Sequence, residues 1–110
     1  MEAIYFKEIN TEDTIGYTQK TTFFRDFSIA DAFGVEAIRD TYKRSMESYK
    51  NDCEYLTELV MVLNWKLWEH FEAGHKLYAK VYDALWKEAD QYCMDNLKGE
   101  DMDYYLRTTD

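Results

Sequence analysis

Proline is absent from the 110 residues and glycine occurs only four times. Sandwiches and barrels draw on both residues at their many corners, so the composition argues against a turn-rich sandwich or barrel. No run of residues approaches the ~18–20 apolar positions of a membrane span. The opening stretch MEAIYFKEIN carries Glu2 early and lacks a basic segment followed by an apolar one, so it does not read as a secretory signal. Cysteine is limited to Cys53 and Cys93. Without an export signal, two thiols point to reduced cysteines and a cytoplasmic setting. Basic charge is also scarce. Thirteen Lys and Arg stand against 22 Asp and Glu, for a net charge of −9, and a field of that sign repels phosphate and disfavours nucleic-acid binding.

The chain is instead rich in apolar side chains, at 46%, with 17% aromatic, which excludes wholesale disorder. Its length suits one domain over residues 1–110. Residues 1–27 differ in texture from the rest. Ile4, Tyr5 and Phe6 open a short apolar run, Gly16 punctuates it, and Thr21–Phe24 is β-branched and aromatic. The expectation there is an extended arm or a hairpin of two short strands laid on a helical core. Ser28 with Asp31 resembles a capping box, and Gly34 suits a helix end, so a short helix is expected over 28–33.

From Val35 the helical period is strong. Val35, Ile38, Tyr42, Met46 and Tyr49 fall on one face and charged residues on the other, as in an amphipathic helix. A second stripe runs through Cys53, Leu56, Val60, Leu63, Leu67 and Phe71, and this segment is apolar around most of its circumference, as befits a central helix. The two stripes are in register, and Asn51-Asp52 is the one break signal between them. An unbroken helix over 35–73 would be about 58 Å long, too long for a compact monomer of this size, so a break with Asp52 as N-cap is expected. Gly74 ends the central helix. The last long helix covers about 75–98, with Tyr78, Val81, Tyr82, Leu85, Ala89, Tyr92 and Cys93 on its core face. An acidic turn at 100–106 follows, with Met102, Tyr105 and Leu106 packing back. The fold expected is mainly α: an antiparallel bundle of three long helices (28–110), preceded by a short helix and an N-terminal arm.

Few residues point to chemistry. Across a hairpin at Gly74 the cysteines sit far from His70 and His75, by roughly 25 Å of helix, which excludes a Cys–His dyad or a Cys₂His₂ site within one chain. Glu72 and His75 have the Glu-x-x-His spacing of di-iron bundles, but no second copy exists and the pair straddles Gly74. Glu69, His70, Glu72 and His75 therefore read as a solvated helix end, with an adventitious cation as the lesser alternative, and neither a resident metal nor a cofactor is expected. Asn64 lies on an apolar stripe and is the candidate buried polar residue, suited to fixing register. Trp65, Trp68, Trp86, Tyr104 and Tyr105 are more than a small bundle should hide, and they are the interface candidates. Glu100, Asp101 and Asp103 are the acidic-surface candidates. No phosphate loop, dinucleotide fingerprint, zinc-protease motif or nucleophile elbow is present.

Three segments, Thr22–Gly34 (TFFRDFSIADAFG), Tyr55–Glu72 (YLTELVMVLNWKLWEHFE) and Asn96–Asp110 (NLKGEDMDYYLRTTD), resemble small helical proteins of gut Bacteroidales genomes, their mobile elements and phages. The resemblance implies a bacterial or phage cytoplasmic setting and transfers no functional residue. Three functions stand as expectations. The first is a non-enzymatic interaction or assembly protein, self-associating or binding a protein partner through aromatic helix faces. The second is an acidic decoy that inhibits a nucleic-acid-binding protein, and the third a small-ligand binder or small enzyme with a Tyr/Trp-lined pocket near Asn64 or Tyr82.

Overall fold

Two glycines set the course of the chain. Gly34, at φ 115°, and Gly74, at φ 82°, occupy backbone that residues with a Cβ adopt only under strain. A computed structural model describes the backbone of residues 14–109 and the side chains of 23–109. Five helices follow one another among the described residues: α1 Thr14–Phe33, α2 Val35–Tyr49, α3 Cys53–Ala73, α4 Lys76–Asn96 and α5 Glu100–Thr109. None is long and apolar enough to cross a membrane.

Gly34 is the whole joint between α1 and α2. Its N–H donates to Ala30 O at 3.0 Å and its carbonyl accepts from Ile38 N–H at 3.2 Å, so one residue closes one helix and opens the next. Asp52 caps α3, its carboxylate accepting from Tyr55 N–H at 3.1 Å. The helix break expected at Asn51-Asp52 is present. Gly74 terminates α3 with its N–H to Phe71 O at 3.1 Å and the His75 N–H to His70 O at 2.9 Å, the paired bonds of a Schellman end.

The helices alternate in direction. Phe23 meets the Tyr55 ring at 6.2 Å, and eight residues later Asp31 meets His70, so α1 runs alongside α3 in the same sense. α4 folds back on α3 from the tight turn at Gly74. α5 returns parallel to α3: the Cys53 Sγ–H reaches Asp101 O at 3.5 Å, and Thr109 lies beside Asn64 and Trp65. α3 is the hub, and Leu56, Leu59, Val60, Val62 and Leu63 on it are buried. The core faces read from the sequence for α2 and α4 hold: Ile38, Tyr42, Val81, Tyr82, Leu85, Ala89 and Cys93 are all buried.

The N-terminal expectation is corrected. Residues 14–27 are helical, not an arm or a hairpin, and residues 1–13 lie outside the described part. The short helix at 28–33 is the end of a 20-residue helix, with Ser28 inside it. Phe23, Phe27 and Ala30 are 4%, 0% and 4% exposed, at spacings of four and three that put them on one helical face. Packing against Tyr49, Tyr55 and Tyr82 overrides the strand propensity of the Thr-Thr-Phe-Phe run.

Candidate functional site

The turn at Gly74 forms an elbow, and beside it three helices bring their polar side chains into one cluster. α3 supplies Lys66 and His70, one turn apart on the face that continues the buried Leu59–Leu63 row. α1 supplies Ser28 and Asp31, and α4 supplies Tyr78 and Tyr82. Lys66 is 1% exposed. Its ammonium donates to Asp31 Oδ2 at 2.7 Å, Glu69 Oε1 at 2.7 Å and Ser28 Oγ at 3.1 Å, and it lies 4.8 Å from the centre of the Phe24 ring. A buried ammonium is tolerated only when paired and fully hydrogen-bonded, and here all three of its protons have acceptors.

Asp31 is the node. Its Oδ2 also accepts from His70 Nε2 at 2.9 Å, and its Oδ1 accepts from the Tyr82 hydroxyl at 2.6 Å. A carboxylate offers only acceptors, so the proton between Asp31 and His70 is carried on Nε2. In the neutral ring Nδ1 then holds a lone pair. It faces Nδ1 of His75 at 3.0 Å, close enough for one proton to be shared between the two rings. The His70 imidazole stacks on Tyr82, with centroids 5.5 Å apart and planes 10° apart, and tilts against Tyr78 at 5.2 Å. Burial, then the hydrogen bond and charge of Asp31, push the Tyr82 phenol far above its ordinary value, which keeps it a donor. A chain of hydrogen bonds thus runs from exposed His75 through buried His70 and half-buried Asp31 to buried Tyr82. An open cleft of about 580 Å³ adjoins it, walled by Ala32, Leu77 and Tyr78 with the two imidazoles at its side.

The solvated helix end expected at 69–75 is therefore half corrected. Glu72 and His75 are exposed, whereas His70 is 6% exposed and fully engaged. Sequence reasoning missed Lys66, read Asp31 only as part of a capping box, and read Tyr82 as a core-face and pocket residue without its bond to Asp31. The signal for Lys66 and His70 was their spacing from Leu59 and Leu63, since 59, 63, 66 and 70 step by four, three and four along one face.

The interface candidates separate. Trp68 is 52% exposed and meets Phe71, 62% exposed, edge to face at 5.5 Å. Trp65 and Trp86 are half-buried against the core. Together with Asn64, which is half-buried rather than enclosed, they line an open cleft of about 530 Å³ between α3, α4 and α5. Tyr105 is 1% exposed and donates to Asp90, which makes it a core residue. Tyr104 is half-buried, with the Arg107 guanidinium 5.9 Å from its ring centre. Leu106, expected to pack back, is 42% exposed.

Glu100, Asp101 and Asp103 are exposed and, with Asp52 and Glu54, line an open cleft of about 740 Å³ at the far end of α3. They also occupy the first turn of α5, where negative charge offsets the positive end of a helix. Both cysteines are free thiols. Burial, then Asp90, pushes the Cys93 thiol up to about 12, which makes it a poor nucleophile at neutral pH. No family model, curated protein or solved structure matches the chain.

Proposed function

We propose that this protein is a non-enzymatic interaction or assembly protein that docks through the apolar side chains around the α3–α4 elbow. One observation carries the reading: large apolar residues accumulate in the open at that end. Trp68 and Phe71 lie in the last turns of α3, Leu77 is 61% exposed in the first turn of α4, and Phe33 is 79% exposed at the end of α1. α5 covers the lower part of the same side of α3 and stops beside Asn64, leaving Trp68 and Phe71 uncovered. Clustered exposed aromatics of this kind mark partner surfaces.

The test compares the full chain with a Trp68→Ser/Phe71→Ser double variant, by sedimentation equilibrium and by affinity capture from host lysate. The reading expects self-association or a salt-resistant partner that the double variant loses. A strictly monomeric chain with no partner at high concentration, or interactions unchanged in the variant, would count decisively against it.

A second reading, an acidic decoy for a nucleic-acid-binding protein, rests on the five carboxylates around the far cleft. It expects a partner lost on modest salt and lost again on neutralising Glu100, Asp101 and Asp103, because exposed charges are screened over a Debye length. Affinity unmoved by that neutralisation removes it.

A further inference from the structure

We propose that His70 and His75 form a two-imidazole site for a first-row divalent cation of the nickel, copper or zinc class. The first observation is spacing. The two Nδ1 atoms are 3.0 Å apart. Two imidazole nitrogens about 2.0–2.1 Å from one ion are separated by about 2.9 Å at the right angle of square-planar or octahedral nickel and copper, and by about 3.3 Å at the tetrahedral angle of zinc. The pair is already close to the separation of two neighbouring metal ligands, and binding replaces the shared proton while the exposed His75 ring swings so that both nitrogens face an ion about 1.4 Å off the line between them.

The second observation is the shell behind the first ligand. Imidazoles that bind metals commonly give their other N–H to a carboxylate, which fixes the tautomer and makes the ring a better donor. His70 Nε2 does this to Asp31 at 2.9 Å. Asp31 is itself held by Lys66 and Tyr82, and the flanking rings of Tyr78 and Tyr82 keep His70 from turning its free nitrogen away. The charge balance also favours a cation. Asp31 and Glu69 stand against the one ammonium of Lys66, a net of one negative charge. The negative end of α3 and the positive end of α4 meet at the elbow and oppose each other.

Access comes through His75, which is exposed, and the adjoining cleft leaves room for water or an exogenous ligand on the ion. Among the described residues no group of three or more His, Cys, Asp or Glu is arranged around a metal position, so the site offers two protein ligands and open positions. Two nitrogens suit nickel, copper or zinc and do not suit magnesium or calcium, which take oxygen ligands. Protons compete for the same nitrogens, so acid weakens binding.

The test titrates the untagged, chelator-stripped full chain with NiCl₂ and with ZnCl₂ by calorimetry. The chain has only these two histidines, so any imidazole signature is assignable. The expected result is one ion per chain, with affinity at least tenfold lower in His75→Gln, a change at an exposed position that leaves the helical circular dichroism intact. Substoichiometric Cu²⁺ is expected to broaden the ring signals of both histidines before any others. No saturable binding of either ion, equal affinity in His75→Gln, or broadening that spares the imidazoles overturns the proposal.

Discussion

The two ends of α3 use their side chains in opposite ways. At the acidic end, charge is spent inside the fold. Asp52 caps α3, and Glu100, Asp101 and Asp103 sit where the positive end of α5 needs them. At the elbow end, the Lys66 ammonium is buried and satisfied by Asp31, Glu69 and Ser28, while large apolar groups stand in the open. The carboxylates of the acidic end thus have a use at the starts of α3 and α5. An exposed Trp68–Phe71 pair has no such internal use, and for this reason the interaction reading is placed at the elbow. α3 spans 21 residues, about 31 Å at ~1.5 Å each, so the two ends can be perturbed separately.

Alkali should strike both regions at once and produce the largest effect. Burial, first, and then the carboxylates Glu88, Asp31 and Asp90 raise the phenols of Tyr42, Tyr82 and Tyr105 well above their ordinary range. The unfolded chain loses these protons near pH ~10 while the folded chain keeps them. Stability is therefore intact below that pH and falls as pH rises beyond it, by roughly 1.4 kcal/mol per pH unit for each such phenol. Urea titrations at pH 9, 10 and 11 would check the slope; a flat profile would mean that these hydroxyls are not sealed in.

Lys66→Ala separates the two ends. It strips the 15% exposed Asp31 carboxylate of its ammonium, and removing one partner of a fully buried pair costs roughly 3–5 kcal/mol. Chemical denaturation should show a loss of that size, and a loss below 1 kcal/mol would mean that water reaches Asp31 freely. Asp52→Ala at the other end removes a cap, with an expected loss of about 1 kcal/mol. Amide replacement of Glu100, Asp101 and Asp103 should cost about 0.3–1 kcal/mol each at low salt and less at high salt. Destabilisation by these amide replacements would support the structural use of the acid; unchanged stability would favour its use in binding.

The two ends also differ in how far the sequence foretold them. The helix stops at Gly34 and Gly74, the Asp52 cap and the core faces of α2 and α4 are local signals, set by backbone conformation and by a 3.6-residue period, and they were legible. α1 was not. Its Thr-Thr-Phe-Phe run carries strand propensity, and only burial of Phe23, Phe27 and Ala30 against distant tyrosines makes it helical. The α3 stripe was read through Leu67 and Phe71, yet toward the elbow the buried face passes through Lys66 and His70 instead, leaving Phe71 exposed. Apolar periodicity cannot see that substitution, because the residues that make Lys66 tolerable inside, Ser28 and Asp31, lie 38 and 35 positions away.

Trp68→Ser/Phe71→Ser should have the smallest effect on stability and is the sharpest probe of the comparison. Both side chains are more than half exposed, at 52% and 62%, and neither packs into the buried core. Surface substitutions away from caps and cores usually fall within about 0.5 kcal/mol, and among the described residues the ring contact in question is the one these two make with each other. A thermal melt of the double variant should therefore overlay that of the parent chain. If it does, any loss of self-association or of a captured partner reports on docking and not on folding. If the variant instead loses 2 kcal/mol or more, Trp68 and Phe71 are part of the core in solution, and the elbow end is closed by the chain itself.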